Sequence, residues 1–83
     1  MTTVKLNMNL YMDDGRVSKS RNAKRRRILA RCMRGNWQGA YIVAHYYDGE
    51  RNIGSNHFIC RNIDEVHIAL NTATEGELLE YLS

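Results

Sequence analysis

Val4, Leu6, Met8, Leu10 and Met12 alternate without a break with Lys5, Asn7, Asn9 and Tyr11. Successive side chains of an extended chain point to opposite faces, so this period of two predicts a strand with one buried face and one wet face. A sheet is therefore the frame on which the remaining elements must be placed. Asp13-Asp14-Gly15 reads as a turn, because Gly accepts positive φ and Asp side chains bond nearby amides. Arg16 and Val17 predict no more than a brief return strand.

The next segment predicts a helix. Ser18 or Ser20 supplies an N-cap, and Gly35-Asn36 supplies the residue that ends the helix after Arg34. At 100° per residue, Ile28, Leu29, Cys32 and Met33 share one arc, opposite Lys24, Arg27, Arg31 and Arg34. Arg21 and Arg25 occupy the arc that Leu29 and Cys32 would otherwise extend, so the first turns of this helix are expected to project from the body.

Trp37 to Tyr47 is rich in aromatic and β-branched residues with Ala40 and Ala44 interleaved, which predicts a central strand covered on both faces. Asp48-Gly49 marks a hairpin turn, and a return strand follows from Arg51 to Cys60 with Gly54 as a bulge. Asn62 with Glu65 forms a capping pair for a helix carrying Ile63, Val66, Leu70 and Ala73. Thr74 with Glu77 predicts a separate last helix that presents Leu78, Leu79 and Leu82.

The expected fold is thus α+β, a small three-stranded sheet with helices packed on one face, in the order β-α-β-β-α-α. The first strand could lie parallel to the second or antiparallel to the third, and the sequence leaves both open. A chain of 83 residues has room for one core, so a single compact domain over 1–83 is expected. With 43% apolar residues, 25% charged residues and no Pro, the composition is that of a globular protein. The longest apolar run, Ala40 to Ala44, falls far short of the roughly 20 residues a membrane span needs. No membrane partner and a cytoplasmic location are expected, the host cell cytoplasm if the chain is phage-encoded. Cys32 and Cys60 read as reduced core thiols.

Charge carries the functional reading. Nine of the twelve Lys and Arg residues lie in 16–34, a stretch without Asp or Glu, while three basic and nine acidic residues elsewhere leave −6. Surfaces kept charged for solubility intersperse both signs, whereas like charges this dense repel one another and call for an external anion. Arg16, Lys19, Arg21, Lys24, Arg25, Arg26, Arg27, Arg31 and Arg34 are accordingly the candidate contacts to phosphates of DNA or RNA. Tyr11, Tyr46 and Tyr47 are candidate aromatic contacts, one of Tyr46 and Tyr47 being expected beside the hairpin turn. The other class of partner is an acidic protein surface, as for a small phage-type inhibitor or adaptor of a host enzyme or defence complex. A homodimer through an exposed first strand is a third arrangement.

Catalysis and metal binding have weaker signatures. His57 and Cys60 stand three apart in a strand and face opposite ways, which argues against a zinc site with His45 and Cys32. His57 with Asn56 and Ser55, and the pair Asp13-Asp14, read as strand-edge and turn polarity. No enzyme activity, cofactor or metal is expected. Asp64, Glu65, Glu75, Glu77 and Glu80 make the tail acidic, with helix starts and solvent as their ordinary setting.

Asn22-Ala23-Lys24-Arg25-Arg26-Arg27 resembles the arginine-rich helices of phage antitermination peptides, which bind RNA hairpins. Trp37 to Leu70 resembles the arm-binding domains of tyrosine recombinases and the plant AP2 domains, which lay a three-stranded sheet in the DNA major groove. The hairpin here is not rich in Arg or Lys, and its third strand must come from the N-terminus.

Overall fold

A computed structural model describes residues 4–13 and 17–82, with side chains for all of these except residue 17 and residues 76–82. The elements are β1 (Val4–Asp13), β2 (Val17–Ala23), α1 (Arg25–Cys32), β3 (Gly39–Asp48), β4 (Arg51–Cys60) and α2 (Ile63–Leu82). The strands form one antiparallel sheet in the order β2-β1-β3-β4. The fold is a small α+β arrangement with two helices.

The alternation in β1 decides which face is covered. Val4, Met8, Leu10 and Met12 are buried and join Ile42, Ala44 and Tyr46 of β3, Cys60 of β4, Ile28 and Cys32 of α1, and Val66, Ala69, Leu70 and Ala73 of α2 in one core. Leu10, Ile28, Ile42 and Leu70 are sealed from solvent, each contributing roughly 1.5–3 kcal/mol of burial. Both helices therefore pack on the same side of the sheet. Arg25 of α1 reaches Asn71 of α2, donating a 2.6 Å hydrogen bond to its Oδ1.

The fourth strand corrects the expected three. Residues 17–23 pair with β1 instead of opening a helix, with Met12 opposite Ser18, Tyr11 opposite Lys19 and Leu10 opposite Ser20. Two serines and an asparagine compete poorly as helix formers, and before Ile28 the segment has no apolar arc to dock. The bare edge of β1 offers its backbone a full ladder. This extra reversal also settles strand order: β1 meets β3 antiparallel, with Leu10 opposite Ile42 and Met8 opposite Ala44. Neither arrangement left open by the sequence occurs. The first strand is not an exposed edge as expected, since β1 is a central strand and the sheet edges are β2 and β4.

A bulge ends β2. The register shifts between Met8 and Leu10, and Asn22 adopts a φ of 52° while donating its amide to Asn9 Oδ1 at 3.1 Å. Asn tolerates this left-handed conformation better than most residues. Lys24 returns to extended backbone and α1 begins at Arg25, much shorter than the helix expected over 18–34. Trp37, expected to open the strand observed as β3, instead precedes it and donates from Nε1 to the carbonyl of Cys32 at 2.7 Å, satisfying an orphan acceptor at the end of α1.

The β3–β4 hairpin turns at Gly49, whose φ is 64°, and a register shift between Tyr46 and Tyr47 marks the bulge expected near Gly54. Asn62 Oδ1 accepts the amide of Glu65 at 2.9 Å, while Glu65 Oε2 accepts the amide of Arg61 at 3.3 Å, so the expected capping pair forms. The two expected C-terminal helices are one, Ile63–Leu82. Thr74 does not cap a new helix, because its hydroxyl donates to the Leu70 carbonyl within the same one at 2.9 Å. The side chains of Glu77, Leu78, Leu79, Glu80 and Leu82, and the whole of Asp14, Gly15 and Arg16, lie outside the described residues.

Candidate nucleic-acid interface

The basic run is divided among three elements. In β2, Lys19 and Arg21 point away from the helices, because Ser18 and Ser20 face them opposite Met12 and Leu10. Lys24 forms the N-cap of α1 without a side-chain capping bond, and the first turn holds Arg25, Arg26 and Arg27 with no acid. Arg34 follows the end of α1. Lys19, Arg21, Lys24, Arg26, Arg27 and Arg34 are exposed, whereas Arg25 and Arg31 are half-buried. The positive surface thus wraps from the open face of the sheet, round the β2 edge, to the helical side.

The expected stripe along one helix face does not form as such. Arg31 turns inward, where its Nη2 donates to Ser18 Oγ at 2.6 Å and ties α1 to β2. Lys24, Arg27 and Arg34 remain outward. Lys5, which lies outside the basic run, joins Asn22, Lys24 and Arg25 around a concavity at the end of β2.

Electrostatics at this corner are unbalanced. The first α-helical hydrogen bond runs from Ile28 N to Lys24 O, so the amides of Arg25, Arg26 and Arg27 have no partner within the helix. They add a partial positive charge where Lys24 to Arg27 already concentrate cations, an arrangement that costs roughly 0.3–1 kcal/mol per charge against the helix dipole. An anion bound there would relieve that cost.

The second part of the candidate surface is the sheet face without helices. Cross-strand pairing lines up Lys19, Tyr11, Tyr41 and Ile59 in one row across all the strands. The Lys19 ammonium sits 4.9 Å from the centre of the Tyr11 ring. Tyr11 and Tyr41 are 5.8 Å apart by ring centre, and Tyr41 and His57 are 5.7 Å apart. The Tyr41 hydroxyl and His57 Nδ1 share a hydrogen bond. Further along β3, His45 and Tyr47 form another ring pair at 6.3 Å, and His45 Nδ1 lies 3.2 Å from Ser55 Oγ.

Val43 reveals what these rings do for the fold. It is buried yet stands outside the helix-side core, shielded on the open face between Asn9 and His57. The expectation that this strand is covered on both faces is therefore corrected: helices cover one face, and among the described residues the other carries side chains of the sheet. Ile59, on that face, is 77% exposed.

The three aromatic candidates separate. Tyr11 and Tyr47 are half-buried on the open face. Tyr46 belongs to the core, with its hydroxyl donating to the Ala73 carbonyl at 2.8 Å and accepting from Asn56 Nδ2 at 3.2 Å. His45 and His57 were not singled out from the sequence as contacts. Their signal was the odd-numbered register they share with Val43 and Tyr47 in β3 and its partner strand.

Cys32 and Cys60 are free and buried. Burial pushes the Cys60 thiol up to about 11, with the charges of Glu65 and Cys32 adding to it. Burial also raises the Cys32 thiol, partly offset by the positive charge of Arg31. No described helix is long and apolar enough to cross a membrane. Comparison with protein-family models, with curated proteins and with solved structures returned no match.

Proposed function

We propose that this chain is a nucleic-acid-binding accessory or regulatory protein, and that the corner formed by the end of β2 and the start of α1 grips phosphates. The observation that carries this reading is the exposure of Lys24, Arg26 and Arg27 around helix amides without a side-chain cap among the described residues. Arginine forks, an ammonium and free amides are the donors that phosphate oxygens accept. Lys5, Lys19, Arg21 and Arg34 extend the same field on either side.

A cationic edge strand also discourages sheet-to-sheet aggregation. That role accounts for Lys19 and Arg21, but not for the further cations stacked at the start of α1. An acidic protein surface, as an inhibitor or adaptor would engage, offers the same charge without a regular phosphate spacing, and it is the second reading.

Fluorescence anisotropy with a labelled oligonucleotide tests the first. Replacing Lys24, Arg26 and Arg27 by Gln is expected to weaken binding to every nucleic-acid sequence nearly equally, because phosphate contacts carry no base information. Unchanged affinity in that variant would remove the corner from the interface.

A further inference from the structure

We propose that the open face of the sheet is a stacking platform for unpaired bases, so that the ligand of this protein is a single-stranded nucleic acid. This rests on the nucleic-acid reading above and adds which form is bound and where its bases go.

The geometry selects a single strand. Tyr11 and Tyr41 sit opposite each other on the two central strands, with their rings on the face that no helix covers. A ring on a sheet surface stacks on a base through the base's flat face, and in a duplex those faces are occupied by neighbouring pairs. The outer strands of a four-stranded sheet lie about 14 Å apart, three spacings of roughly 4.8 Å, which is wider than the roughly 12 Å major groove. This face therefore cannot enter a duplex as a two-stranded ribbon does.

Charge and polarity fit the same occupant. Lys19 flanks Tyr11 and Lys5 lies opposite Tyr47, so each aromatic patch has a cation beside it for the phosphates. Tyr41 and Tyr47 are six residues apart along β3, about 20 Å at roughly 3.4 Å per residue, a span of several nucleotides. Between them lie Asn7, Asn9, His45 and Ser55, whose amides, hydroxyl and ring nitrogens can bond base edges. Asp13, at the far end of the row beside Gly39, is the described acid on this face of β1 and marks its less favourable end. The exposed Ile59 extends the Tyr11 and Tyr41 row and borders an open depression with Gln38, offering a further apolar surface for a base.

The test compares a labelled single strand of about ten nucleotides, as DNA and as RNA, with the corresponding DNA duplex. Wild-type protein is expected to bind single strands more tightly than the duplex. Tyr11→Leu with Tyr41→Leu is expected to lose roughly 5- to 150-fold of single-strand affinity per ring, leaving duplex affinity unchanged. Tyr11→Phe with Tyr41→Phe keeps the rings and is expected to keep the affinity, which separates stacking from loss of structure. In wild-type protein the ring protons of Tyr11 and Tyr41 are expected to shift upfield as single strand is added.

Equal binding of duplex and single strand, or Leu variants that bind as wild type, would overturn the platform while leaving phosphate binding at the β2–α1 corner intact. Wild-type protein that binds neither probe would overturn both, and a protein partner would then be the occupant of this face.

Discussion

Arg31 donates a 2.6 Å hydrogen bond to Ser18 Oγ, so a guanidinium from the most basic part of the chain holds α1 against the edge strand β2. A half-buried, charged donor of this kind is worth about 1.5–3 kcal/mol. Arg31→Gln is therefore expected to lower stability to urea by an amount in that range. Its effect on oligonucleotide affinity is expected to be small, in contrast with Arg26→Gln and Arg27→Gln, whose side chains are exposed. Urea unfolding and anisotropy on the same three proteins separate the two roles.

Asn22 is the residue at which β2 hands over to α1, and its φ of 52° suits few side chains. Asn22→Val is expected to destabilise the fold by about 1–2 kcal/mol, the ordinary cost of a left-handed conformation for a residue with Cβ. Asn22→Gly accepts that backbone and is expected to be much closer to neutral. Equal losses in the two variants would show that the conformation is not what makes Asn22 matter.

Tyr46 and Tyr47 are neighbours with opposite fates. Tyr46→Phe removes the donor to the Ala73 carbonyl and the acceptor for Asn56 Nδ2, two of the bonds that tie β3 to α2 and β4. A loss of about 1–2 kcal/mol in stability is expected, with oligonucleotide affinity preserved. Tyr47→Ala is expected to do the reverse, weakening single-strand binding more than it weakens the fold.

Alkaline pH acts through Cys60. Burial pushes its thiol up to about 11 in the folded protein, from the 9.0 of an unperturbed thiol. The folded state thus holds this proton more tightly than the unfolded state, so the associated stability is complete below the free-thiol value and is lost as pH rises through about 11. Unfolding by urea at a series of pH values is expected to show that decline, and Cys60→Ala is expected to reduce it. At neutral pH both buried thiols are expected to resist alkylation until the protein unfolds.

Much of this molecule was legible from periodicity and turn chemistry. The alternation from Val4 to Met12 gave β1 its faces, Asp48-Gly49 gave the hairpin, and Asn62 with Glu65 gave the start of α2. Residues 17–23 were not legible, because serine caps and dense Arg and Lys resemble the start of a helix when only local spacing is considered. What decided them was the unpaired edge of β1, a tertiary demand. Thr74 misled for a related reason: its hydroxyl serves equally as a cap and as a donor to the carbonyl four residues back, and the buried run Val66, Ala69, Leu70 and Ala73 favoured continuation.

The candidate site was legible in its charge and not in its shape. The density of cations in 16–34 marked the surface proposed for phosphates, yet Arg31 is drawn inward and Lys5 arrives from β1. The aromatic row needed the strand register, since Tyr11 and Tyr41 are distant in sequence and meet only because β1 and β3 pair antiparallel. The three-stranded groove reader implied by the likeness of residues 37–70 to arm-binding domains is not what forms. A fourth strand widens the sheet.

Salt dependence of oligonucleotide affinity is the most direct measure of phosphate binding at the β2–α1 corner. Each phosphate contact on a single strand contributes roughly −0.7 to the slope of log affinity against log salt concentration. Replacing Lys24, Arg26 and Arg27 by Gln is expected to make that slope shallower by about 2 units. A wild-type slope near zero, or a slope unchanged in the variant, would contradict phosphate binding at this corner.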